Sequence, residues 1–152
     1  MRGYHRSGNV EADKDAETMA TKNGEKLLYE DLSYQIRGAC FDLYKKFGGD
    51  FKETAINKAL FLELQSRKLR VENQKRIDIF HNNEKIGVYI PDLIVEDKIL
   101  IELKVKQFLS RSDDRQFWRY LKGSNYKLGF LINFGPQKLE IKRRVFDKAR
   151  YE

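Results

Sequence analysis

The stretch Val88-Tyr89-Ile90-Pro91-Asp92-Leu93-Ile94-Val95, Glu96-Asp97-Lys98, Ile99-Leu100-Ile101-Glu102-Leu103-Lys104-Val105 decides how this chain is read. Two apolar runs flank a three-residue polar turn, which makes a pair of adjacent strands. In the second run Ile99, Ile101, Leu103 and Val105 alternate with Glu102 and Lys104, so those two polar side chains share the opposite face. Pairing about the turn sets Asp92 roughly opposite Glu102. Two carboxylates and an ammonium then meet on one sheet face.

Working outward, both flanks are helical and stranded by turns. Towards the N-terminus, Leu28, Leu32, Ile36, Cys40, Leu43 and Phe47 recur at three- and four-residue steps, an amphipathic helix that Gly48-Gly49 stops. A second helix is expected over Lys52–Lys68, with Ile56, Ala59, Leu60 and Leu64 on one face. A strand follows at Arg76–Phe80, a turn at His81–Glu84, and one continuous strand from Lys85 to Val95. Beyond the central pair, a third helix is expected over Arg111–Lys122, then strands over Lys127–Asn133 and Lys138–Val145. The order α-α-β-β-β-α-β-β predicts an α/β fold, one mixed sheet flanked by helices. Residues 1–25 are polar and aperiodic and read as a flexible N-terminal tail, with a single domain over 26–152.

Composition narrows the function. The 152 residues carry 30 Lys and Arg against 23 Asp and Glu, net +7. Met1–Leu28 is neutral, so the excess lies beyond it, with seven basic against two acidic residues from Lys104 to Lys127. Such a basic face suits a polyanion, and DNA is expected over RNA as partner. No apolar run approaches ~18 residues, and no apolar leader opens the chain, so the expectation is a cytoplasmic protein with no membrane partner. Cys40 is the sole cysteine, on the apolar stripe of the first helix, and reads as a small buried hydrophobe. His5 and His81 lie in a tail and a turn. A zinc site is not expected from these residues. Without a glycine-rich phosphate loop, ATP-driven chemistry is not expected either.

Asp92, Glu102 and Lys104 suit hard-cation chemistry. Mg²⁺ takes one or two carboxylates and completes its shell with water and substrate oxygens. The bound ion polarises a phosphoryl oxygen and acidifies a water, and a neighbouring lysine orients that water or offsets developing charge. The same three residues would also make an ordinary cross-strand ion pair. Spacing alone does not separate the two.

Pro91-Asp92, nine intervening residues, then Glu102-Leu103-Lys104 resembles the signature of the PD-(D/E)xK, or restriction-endonuclease-like, nucleases. The wider text is similar to the small bacterial and archaeal GxxExxY proteins. It includes Gly48 and Glu53, Gly87–Lys104, Gln116 with Tyr120-Leu121-Lys122, and Lys127–Gly135 followed by Leu139–Arg143. The resemblance covers about Leu28–Phe146. Glu53 stands in its motif place, but Asp50 replaces the motif's glycine and Ile56 its tyrosine. The resemblance implies a restriction-endonuclease-like core with Asp92, Glu102, Lys104 and Glu53 as the catalytic set. Asp92, Glu102, Glu53 and the Leu103 carbonyl would hold Mg²⁺ or Mn²⁺. Gln116 and Tyr120 share a helix face and resemble the Gln-x-x-x-Tyr motif beside the site of RecB-like and lambda-exonuclease-like enzymes. With Arg111, Arg115, Arg119 and Lys122 they are the nucleic-acid-binding residues that the resemblance and the charge imply. The function expected is metal-dependent hydrolysis of DNA. The alternative is an inactive nuclease-fold module that binds nucleic acid or a protein.

Overall fold

The computed structural model describes residues 10–12 and 28–147. Along them run β1 (Val10–Ala12), α1 (Glu30–Phe47), α2 (Glu53–Ser66), β2 (Val71–Asn73), β3 (Ile77–His81), β4 (Glu84–Tyr89) and β5 (Leu93–Val95). Then follow β6 (Ile99–Lys104), α3 (Arg111–Gly123), β7 (Leu128–Phe134) and β8 (Leu139–Val145). Six strands form a mixed sheet in the order β1-β8-β7-β6-β5-β2. β1 runs parallel to β8 and β6 parallel to β7, while the remaining neighbours are antiparallel. The parallel pair β6/β7 is bridged by α3, the crossover that such a pair requires.

The α/β class is as expected, but the strand count needs correction. The expected strand Lys85–Val95 is two strands in two sheets. β4 pairs with β3 in a separate hairpin, whereas β5 pairs with β2 and β6 in the main sheet. Ile90-Pro91-Asp92 forms the corner between them. Pro91 has no N–H to continue a ladder, so the chain changes partners there. β2 was not anticipated, because three residues containing Glu72 and Asn73 are too short and polar to show a period. β1 was not anticipated either. It lies within the expected tail 1–25, whose other residues are outside the described ones.

Period-two alternation sorts the sheet into two faces. On one, Ile99, Ile101 and Leu103 of β6 and Phe130, Ile132 and Phe134 of β7 pack with Ile36, Cys40 and Tyr44 of α1 and Ile56, Leu60 and Leu64 of α2. On the other, Ile94, Leu100 and Leu131 pack with Phe117 and Leu121 of α3 and Ile79 and Tyr89 of the hairpin. Glu102 and Lys104 belong to this second face by alternation. Burial of Cys40 and exposure of His81 agree with the sequence reading.

Two turns prepare the site. In the β5–β6 turn both Glu96 and Asp97 have positive φ, and the Lys98 N–H donates to the Val95 carbonyl. This is type I′ geometry, whose twist keeps the two strands paired. Before α2, Gly48 takes φ 66, and a Cβ on Gly49 would collide with the Gly135 carbonyl. The Tyr44 hydroxyl donates to that same carbonyl at 2.6 Å. The β7–β8 turn is therefore docked onto the α1–α2 turn, which sets where α2 and Glu53 begin. Asp50 is not a left-handed residue of this turn, so its substitution for glycine requires no strained backbone. Ile56, standing in the motif's tyrosine place, is 1% exposed and fills core volume.

Candidate active site

Asp92 leaves the corner at the start of β5. The β5–β6 register pairs Leu93 with Ile101, and one further step brings Asp92 level with Glu102, as the sequence predicts. The Asp92 Oδ2 accepts the Leu103 N–H at 2.7 Å. Asp92 is also hydrogen-bonded by the side chain of Asn57. Asn57 is four residues beyond Glu53, on the same face of α2. That face brings Glu53 close enough for Asp92 and Lys104 to act on its charge.

Glu102 is held from the hairpin. The Tyr89 hydroxyl donates to Glu102 Oε1 at 2.9 Å, and the Tyr89 ring stacks on Tyr120 of α3 at 4.1 Å and 4°. Neither Tyr89 nor Asn57 was identified from sequence. Asn57 was legible in principle from its four-residue step after Glu53. Tyr89 was not, because an aromatic at a strand end is usually only core.

The electrostatics of the cluster are those of crowded carboxylates. The Glu102 pKa stands at about 7 instead of 4.5, raised most by burial and next by the Asp92 charge, against the opposing Tyr89 hydrogen bond and Lys104. Burial also raises Asp92, opposed by the Leu103 N–H, Lys104 and Asn57. Glu53 is raised by burial and then by Asp92, while Lys104 lowers it. Three carboxylates face one ammonium, so when ionised the cluster is net negative, which a cation would relieve. Among the described residues no three His, Cys, Asp or Glu side chains form a ready-made cage. Carboxylate oxygens, with no thiol or imidazole among them, are donors of the kind that suit a hard ion such as Mg²⁺, which takes one or two carboxylates and leaves positions for water and substrate. This donor set does not fit a closed structural site.

A small open cleft lies between β6 and α3, lined by Tyr89, Glu102, Lys104, Asp113, Gln116 and Tyr120 over Phe117 and Leu131. Asp92 and Glu53 are not among its lining residues; Asp92 joins the cluster from the start of β5, through the Leu103 N–H, and Glu53 from α2. Gln116 and Tyr120 do share a helix face, and both border the same cleft as Glu102 and Lys104. α3 begins with a capping box: Ser110 Oγ accepts the Asp113 N–H at 3.1 Å, and Asp113 Oδ2 accepts the Ser110 N–H at 2.9 Å. The helix acids are neutralised locally, Asp113 by Lys106 at 2.8 Å and Asp114 by Arg144 at 2.7 Å. Arg111, Arg115, Arg119 and Lys122 are exposed along the helix, and none forms an ion pair among the described residues. Trp118 packs edge-on against Phe146, which makes it part of the core rather than a free stacking surface.

Among curated proteins no match to the chain is found. The crystal structure of SSO0001 is similar at 15% identity, covering 93% of this chain and 70% of that one with a TM-score of 0.47, too distant to bear on function. A family model, that of the PD-(D/E)XK nuclease superfamily, matches residues 30–144. The mixed sheet with its α3 crossover is consistent with a restriction-endonuclease-like fold. With the match spanning most of its length, the chain belongs to the PD-(D/E)XK nuclease superfamily.

Proposed function

We propose that this protein hydrolyses phosphodiester bonds in DNA with Mg²⁺ or Mn²⁺, and that within its superfamily it groups with the GxxExxY proteins. The observation that carries the reading is the meeting of Glu102 and Lys104 with Gln116 and Tyr120 in one cleft, with Asp92 tied to the Leu103 N–H beside them. A purely binding module has no need of that set.

In this reading Asp92, Glu102 and the Leu103 carbonyl hold the ion, with Glu53 assisting from α2. The ion, when bound, offsets phosphoryl charge and acidifies water. Lys104 orients the attacking water and balances charge that develops on the phosphate. Gln116 borders the scissile region, and Arg111, Arg115, Arg119 and Lys122 meet backbone phosphates along α3. Burial of the carboxylates strengthens each of these interactions over its value in water.

The test is cleavage of labelled single- and double-stranded DNA, with RNA as comparison, by purified protein in Mg²⁺, Mn²⁺ or chelator. Metal-dependent cleavage of DNA that Lys104→Ala abolishes is the expected result. Tight DNA binding without cleavage under all these conditions would instead identify an inactive nuclease-fold module.

A further inference from the structure

Glu102 sits on β6, yet what holds its carboxylate comes from elsewhere. Tyr89 ends β4 in the separate hairpin, is 5% exposed, and spans the gap to Oε1. Its ring has little freedom, because Tyr120 lies flat against it from α3. A glutamate on a strand has three side-chain torsions to fix, and each alternative rotamer moves the carboxylate by ångströms. A hydrogen bond to one oxygen fixes both the rotamer and the plane of the group, and so the direction in which the other oxygen points. In metal sites such partners of the ligating groups decide affinity nearly as much as the ligands do. Tyr89 has no other evident reason to bury a hydroxyl here: a phenylalanine would fill the same volume without needing a partner.

We infer that Tyr89 is a positioning residue for Glu102, orienting its carboxylate for the divalent ion, and that Tyr120 acts in the same assembly by clamping the Tyr89 ring. The inference rests on the metal-site reading above, and it gives Tyr120 a task beyond the nucleic-acid contact expected from its motif. Atoms on three elements are thereby coupled: hairpin, central strand and crossover helix.

The experiment is Mn²⁺ titration followed by electron paramagnetic resonance or calorimetry, on wild type, Glu102→Ala, Tyr89→Phe and Tyr120→Ala. All are measured well below their melting temperatures, with circular dichroism as the check on folding. Tyr89→Phe keeps the ring and its stack and removes only the hydroxyl. It is expected to weaken Mn²⁺ binding by roughly tenfold or more, and Tyr120→Ala is expected to weaken it by a smaller factor. Wild-type affinity in Tyr89→Phe, with Glu102→Ala impaired, would overturn the role of Tyr89 and leave the metal site standing. Equal affinity in wild type and Glu102→Ala, or no Mn²⁺ binding by wild type, would overturn the metal reading and the Tyr89 inference with it.

Discussion

Glu102 makes the clearest statement at the residue scale. A carboxyl whose pKa rises from 4.5 to about 7 on folding holds its proton more firmly folded than unfolded. Between those values the folded chain binds more protons, so stability falls as pH rises through that window. Asp92 and Glu53 are shifted in the same direction and add to the trend. The strain at Glu102 at pH 8 is about 3 kcal/mol. Glu102→Gln keeps an acceptor for Tyr89 and removes the charge. In metal-free buffer it is expected to raise unfolding free energy by about 1–3 kcal/mol at pH 8 and by nothing at pH 4. Urea melts at the two pH values decide it, and an equal gain at both would place the effect outside this titration. Lys104 separates binding from chemistry. A protonated lysine offers no lone pair to a metal, so Lys104→Ala retains Mn²⁺ binding while hydrolysis falls roughly 10²-fold or more. Hydrolysis at the wild-type rate in this variant would remove Lys104 from the mechanism.

At the element scale the segment joining β6 to α3 carries the site. It runs from Lys104 to the Ser110 cap and determines how α3 faces the cluster. Asn133, fully buried on β7, accepts the Lys106 N–H through Oδ1 and donates through Nδ2 to both the Lys106 carbonyl and Glu140 Oε1, each at 2.9 Å. Glu140 Oε1 in turn accepts the Leu109 N–H at 3.0 Å. Asn133→Ala strands several buried polar groups at once and is expected to cost about 2–4 kcal/mol. The lost stability should be read from a shift in the urea midpoint at unchanged slope. A cost under about 0.5 kcal/mol would mean that the segment is held by other contacts. The sequence pattern marked β7 as a strand and α3 as a helix, but not this tether. Asn133 and Glu140 are ordinary polar residues until β7 and β8 pair them, as the register does.

The whole molecule is basic, net +7, and the exposed cations Arg111, Arg115, Arg119 and Lys122 lie along α3 outside the lining of the cleft that Gln116 and Tyr120 border. Each phosphate contact releases condensed counterions, so log K for DNA falls with log salt by about 0.9 per contact on duplex and 0.7 on single strands. Four to six contacts give a slope of about −3 to −5. Arg115→Ala or Arg119→Ala should flatten it by about one unit and weaken binding to all sequences alike, whereas Gln116→Ala leaves it nearly unchanged. Fluorescence anisotropy in Ca²⁺ or chelator reads binding without cleavage. An undetectable DNA or RNA complex at low salt would make the basic helix a solubility feature and a protein the better candidate partner. Among the described residues no helix is long and apolar enough to cross a membrane.

The sequence by itself determined the period of each long element and, through the Glu96-Asp97-Lys98 turn, the level of Asp92 with Glu102. These are local matters, because alternation and turn chemistry act over a few residues. Only the tertiary structure decided that Pro91 ends one sheet and opens another, that Asn57 supports Asp92, and that Tyr89 reaches Glu102 from a hairpin outside the main sheet. Short strands such as β2 exist only because a neighbouring edge pairs them. The raised carboxyl pKa values likewise belong to the fold. No carboxyl in a sequence carries its own desolvation, which arises when α2, β6 and the hairpin together exclude water from around it.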